Sequence, residues 1–187
     1  MLSVKYFSEL TSSEFYDIAQ VREKVFLLEQ HIVCQDFDGV DKRAVHITLR
    51  DAGGQAAGEA AGEAPGGAAG AVPGKAPDAA PGKAPDAAPC KAARTSGDGR
   101  ILAYLRMFED GGKVIVGRVL TTERGKGYGR RIMDVAEDVA RERFGVNSIM
   151  PHSQTQAIPF YLKCGYKITS EEFLEEGVPH RMMEKVF

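Results

Sequence analysis

Hydrophobic side chains recur at helical spacing in two stretches of the chain. In the first, Thr11 and Glu14 form the pattern of a capping box, and the apolar positions that follow are three or four residues apart: Phe15, Ile18, Val21, Val25 and Leu28. The second stretch runs from about Gly127 to Phe144 and ends at Gly145. Its expected buried stripe consists of Ile132, Ala136, Val139, Ala140 and Phe144. This spacing predicts two amphipathic helices.

Shorter apolar runs bounded by turn residues predict strands. These runs are AVHITLR (44–50), RILAYLRMF (100–108), KVIVGRVLTT (113–122) and NSIMPHS (147–153). The turn EDGGK joins the second and third runs as a hairpin. TQAIPFYLKCG predicts a short helix, and the segment from Tyr166 onward predicts a closing hairpin with its loop at Glu175–Pro179. This order of elements predicts an α/β fold with a mixed sheet.

The stretch from about residue 51 to 99 has a different composition from its flanks. It is nearly all Ala, Gly, Pro and small polar residues, and PGKAPDAA occurs twice in tandem, at 73–80 and 81–88. Such a segment cannot bury enough apolar surface to offset its ordering entropy, so we expect a surface loop, with a partner-binding tail as the alternative. We therefore expect one domain over residues 1–187, interrupted by this insert.

Composition and charge exclude several classes of protein. The 187 residues carry a formal net charge of −2, and no apolar run is long enough for a membrane helix. We expect neither nucleic acid nor membrane as a partner. The first residues, MLSVKYFSEL, do not resemble a secretory leader, and Cys34, Cys90 and Cys164 are too few and too dispersed for a disulfide framework or a zinc site. We expect free thiols in a cytoplasmic protein.

The segment TTERGKGYGRRIM (121–133) joins a predicted strand to the second predicted helix. A helix N-terminus has unpaired N–H groups and the positive end of the helix dipole, so anions bind there. Glycines at 125, 127 and 129 allow a bulky phosphate to approach the backbone, and three cations add charge: Arg124, Lys126 and Arg130. The spacing fits neither a Walker A loop nor a dinucleotide fingerprint. A plain glycine-rich turn with a basic rim is the structural alternative.

Two motifs in this half of the chain resemble those of the GNAT superfamily of N-acetyltransferases. RGKGYG resembles the acyl-CoA pyrophosphate loop R/Q-x-x-G-x-G/A, whose fixed positions here are Arg124, Gly127 and Gly129. QTQAIPFYLKCGY resembles the second signature, N-x-x-A-x-x-x-Y-x-x-x-G-F/Y, whose positions here are Gln154, Ala157, Tyr161, Gly165 and Tyr166. The resemblance covers both flanks and excludes the insert.

A narrower resemblance is to the ElaA-type branch of these acetyltransferases. Three stretches carry it: VREKVFLLEQ, QDFDGVDKRAVH and EEFLEEGVPHRMM. The residues concerned are Glu29, Gln30, Asp36, Asp38, Asp41, His46 and His180. The branch implies no particular acceptor.

The resemblance implies a mixed, mostly antiparallel central sheet flanked by helices, with a splayed pair of parallel strands that binds acyl-CoA. The pantetheine arm would pair with the backbone of residues 117–119, and an amide near Val119 would face the thioester oxygen. The implied acetyl-CoA contacts are Arg118, Val119, Arg124, Gly125, Lys126, Gly127, Tyr128, Gly129, Arg130 and Gln154. Tyr161 would be the general acid that protonates the leaving sulfur, with ordinary packing as its alternative role.

The residues leave the general base open. Many GNAT relatives have a glutamate five residues before the amide of the second signature, a position that Ile149 occupies here. Four candidates remain: Glu29, His46, Glu172 and His180, with Glu29 and His180 preferred. A water chain without a dedicated base is a further alternative.

The acidic turn DFDGVD invites a comparison with calcium sites. An EF-hand loop needs its glycine later and a glutamate at its twelfth position, where Ile47 stands when the count starts at Asp36. We therefore expect no metal and interpret the segment as a turn capped by its own side chains. Together with glutamates near the C-terminus, these acids would favour a cationic acceptor if they lined one cleft.

The sequence thus predicts an N-acetyltransferase that moves acetyl from acetyl-CoA to an amine on a small molecule or a peptide, without a metal. A monomer and a homodimer are both open. An acyl-CoA-binding module without transferase activity is the alternative function, and a nucleotide-binding protein is a third, which the loop spacing disfavours.

Overall fold

The computed structural model of the chain describes residues 1–51 and 99–187. The predicted insert lies, apart from its end residues, outside the described part, as does Cys90. The prediction of one interrupted domain therefore stays a prediction. Cys34 and Cys164 are free thiols, as expected. Within the described residues, no helix is long and apolar enough to cross a membrane.

In residues 1–51 and 99–187, eight strands form one sheet in the order β1-β2-β3-β4-β5-β8-β6, with β7 paired to β8. Every neighbouring pair is antiparallel except β4 and β5. The strands are β1 Leu2–Tyr6, β2 Val45–Arg50, β3 Ile101–Asp110, β4 Lys113–Thr121, β5 Ser148–Gln154, β6 Lys167–Ile168, β7 Phe173–Glu175 and β8 Val178–Val186. This is the predicted fold class, a mixed α/β sheet with one parallel pair.

Three α-helices of the described part of the chain flank the sheet: α1 Ser12–Arg22, α2 Tyr128–Val139 and α3 Ile158–Lys163. A π-helical turn continues α1 over Glu23–Glu29, and another continues α2 over Ala140–Phe144. Short 3₁₀ turns occur at Phe7–Glu9, Val40–Arg43 and Thr155–Ala157. The capping box of α1 is formed as predicted, because the Thr11 hydroxyl accepts from the Glu14 amide.

The two larger helices pack on opposite faces of the sheet. Side chains alternate between the faces of a strand, and on β3 Leu105 and Met107 join the apolar cluster that contains α2, whereas Tyr104 joins the cluster that contains α1. The predicted stripe of α2 is confirmed: four of its members are buried, and Phe144 packs against them half-buried.

The structure departs from the sequence predictions at three points. Leu28 is 61% exposed, because the i→i+5 bonding of the π-helical turn rotates it off the buried face that an α-helix would give it. Strand β1 was not predicted, since this edge strand is short and only half-buried. The closing hairpin is formed at Glu175–Val178, but β8 also pairs with β6, which lies earlier in the same segment.

Candidate active site

The parallel strands β4 and β5 form a fork. Their register has two pairs, Ile115 with Met150 and Val116 with Pro151. Beyond these, β4 continues to Thr121 and β5 to Gln154, and the described residues of the two strands pair no further. Backbone groups along both arms are thus open to a ligand that enters between them as an added strand. The implied splayed pair is therefore present.

A β-bulge shapes the β4 arm of the fork. On β3, Tyr104 faces Leu120 and Arg106 faces Gly117, so that β4 has one residue more than β3 in this interval. Arg118 lies in the bulge with a left-handed φ of 54°, which is uncommon for any residue except glycine. The extra residue changes the direction of the backbone groups at 118 and 119, where the sequence predicted the acyl-CoA contact.

The side chain of Arg118 points to the α1 side of the sheet. Its Nε donates to Asp36 Oδ1 at 2.7 Å, and its Nη2 lies 3.6 Å from Asp38 Oδ2. The guanidinium is thus committed to the loop that follows α1. Any contact of Arg118 with acyl-CoA would come from its backbone.

The glycine loop leads from the end of β4 to α2. Gly125 and Gly127 have φ values of 75° and 78°, and a Cβ added to either would meet no atom within 4 Å. Gly127 is the N-cap of α2, no side chain caps this helix, and its first turn contains no acid. An open, basic helix N-terminus of this kind binds anions. The loop thus has the open backbone amides and the positive charge that an anion such as a phosphate needs.

The other predicted loop residues have different roles. A Cβ at Gly129 would come within 3.1 Å of the Phe160 ring, so a side chain there would press on the contact between α2 and α3. Arg130 is tied to α3, since its Nη1 donates to the carbonyl of Lys163 at 3.0 Å. Tyr128 is half-buried against the α2 cluster. Arg124 and Lys126 are exposed and complete the basic loop.

Tyr161 is buried in the α2 face of the sheet. Its ring packs edge-on against Phe160 and Tyr166, and its hydroxyl has no hydrogen-bond partner among the described residues. Burial, with a smaller contribution from Cys164, raises the pKa of Tyr161 well above its ordinary range. The phenol is therefore protonated at neutral pH and has a proton to donate.

Gln154 links the end of β5 to the end of the first helix. Its Nε2 donates to Gln30 Oε1 at 3.0 Å, and its Oε1 accepts from Gln156 Nε2 at 2.7 Å. Glu29 is the neighbour of Gln30 and is exposed. The link brings the predicted candidate Glu29 to the α1 side of the fork, although the sequence places these segments far apart.

Two histidines, His152 and His180, lie on the α1 side of the sheet and are called the histidine pair below. His152 Nδ1 is 3.1 Å from Glu175 Oε2, and the His152 ring packs edge-on against Phe173. The His180 ring stacks on the same Phe173, with 6.2 Å between the ring centroids, and its Nδ1 donates to the carbonyl of Val178 at 2.8 Å.

Sequence reasoning missed His152 and its partner. The signal for His152 was available, since alternation along β5 places it on the same face as Gln154. No sequence signal identified Glu175 as the partner, because it comes from a different hairpin.

Two other candidates for the base have structural roles. His46 is buried, its Nε2 donates to the Asp41 carbonyl at 3.0 Å, and its Nδ1 accepts from the Tyr104 hydroxyl at 2.9 Å. Burial lowers the pKa of His46, and the charges of Arg22 and Arg106 add to this effect. Because both ring nitrogens of His46 are held in these hydrogen bonds, neither is free to accept a proton from a substrate. Glu172 is exposed and accepts from Thr155 Oγ1 at 3.0 Å.

The acidic turn is part of an ionic network on the α1 face. Three arginines pair with its three aspartates: Arg22 with Asp36 and Asp41, Arg106 with Asp38 and Asp41, and Arg118 with Asp36 and Asp38. Each aspartate thus pairs with two arginines, and the suggestion that acids lining one cleft favour a cationic acceptor stays a prediction. The expected capping of the turn is confirmed, because Asp38 Oδ1 accepts from the amide of Val40 at 3.0 Å.

Comparison with known proteins agrees with this geometry. Residues 91–187 match the family model described as an acetyltransferase (GNAT) domain. A UPF0039 protein of Schizosaccharomyces pombe is 27% identical over 180 residues, which cover 94% of this chain and 90% of the relative. YjcF of Bacillus subtilis, an N-acetyltransferase by name, is 42% identical over 81 residues, 43% of this chain and 57% of the relative.

Two solved structures have the same fold. Escherichia coli ElaA superposes with a TM-score of 0.69 and 21% identity over 99% of each chain. An acyl-CoA N-acyltransferase of Pseudomonas aeruginosa superposes with a TM-score of 0.68 and 22% identity, over 100% of this chain and 99% of that one. The family match, the fork and the glycine loop agree, and this chain belongs to the GNAT family of acetyltransferases.

Proposed function

We propose that the protein transfers acetyl from acetyl-CoA directly to an amine, on a small molecule or a peptide, in the fork between β4 and β5. The observation that carries the proposal is the continuity of this fork with the glycine loop. One ligand that is both extended and phosphorylated would fill both parts, and acyl-CoA is such a molecule.

The direction of β4 orients the co-substrate. β4 runs from the closed end of the fork, at Val116, to the glycine loop before α2. With the pyrophosphate at the loop, the pantetheine arm would follow β4 backward, so that the thioester lies near the closed end. The backbone of the bulge, from Gly117 to Val119, would face the thioester, where negative charge develops on the oxygen during the reaction. Tyr161 would protonate the leaving sulfur.

The acceptor would reach the thioester from the α1 side, where Gln30, Gln154 and the histidine pair lie. Support for an amine comes from the family and from a structural neighbour, a Vibrio cholerae spermidine N-acetyltransferase in complex with CoA and spermine, which superposes with a TM-score of 0.56. Polyamines, amino acids, aminoglycosides and peptide N-termini form the first panel to test.

Calorimetry with CoA tests the binding half of the proposal. Gly127→Glu should abolish CoA binding, since a carboxylate would occupy the anion site. Gly112→Glu is the matched control: its φ of 74° imposes the same backbone strain, but it lies in the β3–β4 turn, at the other end of β4 from the loop. Retained CoA binding by folded Gly127→Glu would contradict the assignment of the loop.

A thiol-release assay with acetyl-CoA and the amine panel tests the transfer. We expect at least one amine to accelerate thiol release, with its acetylated product visible by mass spectrometry. Tight CoA binding together with no acetylated product from any amine would contradict the transferase assignment and favour a binding module.

A further inference from the structure

We propose that His152, oriented by Glu175, is the general base that takes the proton from the amine acceptor. The inference rests on the proposed function. It assigns the general base to a residue outside the four candidates that the sequence offered, each of which is placed less well for that role. It is carried by the position of His152 in the fork, the face to which it belongs and the partner of its Nδ1.

His152 lies at the closed end of the fork. Pro151 is the last residue of β5 that pairs with β4, so His152 is the first residue of the free arm and is level with Gly117 on β4. The orientation of acyl-CoA along β4 places the thioester at this same end. His152 is therefore the β5 side chain nearest to the reacting carbonyl on its face of the sheet.

The face of His152 is the one that an acceptor would approach. Alternation along β5 separates His152 and Gln154 from Ile149, which belongs to the apolar cluster around α2. Gln154 contacts Gln30 at the end of the first helix, so His152 shares the α1 side. Tyr161 belongs to the α2 cluster. The base and the acid are thus on opposite sides of the fork, so that each can act on a different atom of the reacting centre, His152 on the attacking amine and Tyr161 on the leaving sulfur.

The contact with Glu175 sets the tautomer of His152. A carboxylate accepts only, so His152 Nδ1 carries the proton and Nε2 keeps a lone pair. Nε2 has no hydrogen-bond partner in residues 1–51 and 99–187, and the side chain is 32% exposed. The hydrogen bond from His152 lowers the pKa of Glu175 against the opposing effect of burial, and the charges of His180 and Arg118 lower it further. Glu175 is therefore ionised when it orients the imidazole.

The other candidates are placed less well. His180 is on β8, one strand farther from β4, and its register partner Gln154 lies two residues beyond His152 toward the open end. The Nδ1 of His180 donates to a backbone carbonyl, which offers an imidazolium less stabilisation than a carboxylate does. Glu29 is exposed at the end of the first helix, and no residue of the described chain orients its carboxylate toward the fork.

The proposed reaction forms one C–N bond, breaks one C–S bond and releases one proton. His152 Nε2 takes one proton from the alkylammonium, and the neutral amine attacks the thioester carbonyl to form a C–N bond. The C–S bond then breaks, and the CoA thiolate takes a proton from Tyr161, which regains one from the nitrogen of the new amide. The products are the acetylated amine, CoA thiol and one proton, which passes from His152 to solvent.

The decisive experiment compares two amines in the His152→Ala variant. Spermine is protonated near neutral pH and needs a base, whereas methoxyamine is already neutral there and does not. We expect kcat/KM to fall by about 10²–10⁴-fold with spermine and to change much less with methoxyamine. CoA affinity by calorimetry should equal that of the wild type. An equal loss with both amines, or no loss with spermine, would overturn the assignment.

Glu175→Gln tests the orienting role separately. In ¹H–¹⁵N spectra of the imidazole, wild-type His152 should carry its proton on Nδ1, and this preference should weaken in Glu175→Gln. The acid limb of kcat/KM should move to lower pH, because the carboxylate that stabilises the imidazolium is gone. Glu184→Gln on β8 is the control. An unchanged tautomer and pH profile in Glu175→Gln would overturn the pairing.

These outcomes separate the inference from the function on which it rests. An active wild type with a fully active His152→Ala variant would overturn only the base. A wild type that binds CoA and acetylates no amine would overturn the transferase proposal and the base together.

Discussion

The two faces of the central sheet are built from the same strands with opposite chemistry. On β2, the alternate residues Val45, Ile47 and Leu49 pack into the apolar cluster under α2. Their neighbours His46 and Arg50 face α1 and are also buried. Their contacts are hydrogen bonds, however: His46 bonds with the Tyr104 hydroxyl and Arg50 with the Asp17 carboxylate.

The difference separates stability from positioning. Apolar burial is non-directional and scales with area, so the α2 face can tolerate small changes of shape. Hydrogen-bonded ion pairs fix both distance and direction, and those of the α1 face hold Arg118 of the bulge and the acidic turn in place. The reaction that we propose uses both faces: a buried phenol on one side and an imidazole on the other.

The largest expected effect concerns Tyr161, a buried tyrosine of the apolar face. Tyr161→Phe keeps the ring and its packing, and it removes only the hydroxyl. If Tyr161 protonates the leaving thiolate, kcat should fall by about 10²–10⁴-fold with nearly unchanged acetyl-CoA affinity. Steady-state kinetics and calorimetry measure the two quantities. A kcat close to that of the wild type would make Tyr161 a packing residue like its neighbours.

Removing a shared charge from the α1 face should lower the free energy of unfolding more than a small change in the α2 face does. Asp41 serves the buried Arg22 and Arg106 together, at 2.7 and 2.9 Å. Asp41→Ala should lower the free energy of unfolding by about 3–5 kcal/mol, because two buried cations lose a partner. Urea unfolding measures this. Asp138→Ala removes an exposed ion pair with Arg141 and should cost about 0.5 kcal/mol or less; equal losses in the two variants would remove the contrast.

The apolar face should absorb a small change. Ile47→Val deletes one buried methyl group under α2 and should cost about 0.5–1.5 kcal/mol in the free energy of unfolding. The same urea titration applies. A loss as large as that of Asp41→Ala would show that the α2 face is no more tolerant than the α1 face.

The strain at the bulge can be isolated by two substitutions at one site. Arg118→Ala and Arg118→Gly both lose the contact with Asp36, but only glycine adopts a φ of 54° without a Cβ penalty. The glycine variant should therefore be the more stable by roughly 1 kcal/mol, the reverse of the usual order in a strand. Thermal unfolding of both proteins decides the sign.

The smallest expected effect is a pH dependence from His46. Its pKa is lowered in the fold, so the unfolded chain binds the proton more readily. The stability that His46 contributes is complete above about pH 6.5 and is lost as pH falls through that value toward the lower folded pKa. The free energy of unfolding of His46→Gln should therefore vary less with pH in this window. Parallel slopes for the two proteins would contradict this account.

Local chemistry explains why most of the fold could be predicted from the sequence. The capping box at Thr11, the stripe of α2 and the alternation of β2 are patterns within one element, and each specifies a buried face without reference to the rest of the chain. The glycine loop and Tyr161 were predicted for the same reason, because each motif is contiguous. The exposed Leu28 was not, since the switch to π-helical bonding has no signature in the apolar spacing.

The sequence by itself determined most of the elements, the family and the loop suited to a phosphate. Only the tertiary structure decided the partners of the charged side chains. Asp36, Asp38 and Asp41 were predicted to form a turn capped by its own side chains, and only the fold pairs them with Arg22, Arg106 and Arg118, which lie on three different elements. Likewise, only the fold places the Glu175 carboxylate against His152, and the two residues are 23 positions apart in the sequence. Hydrogen bonds and ion pairs act over a few ångströms, so their partners are fixed by the register of strands and the packing of loops, which no single segment encodes.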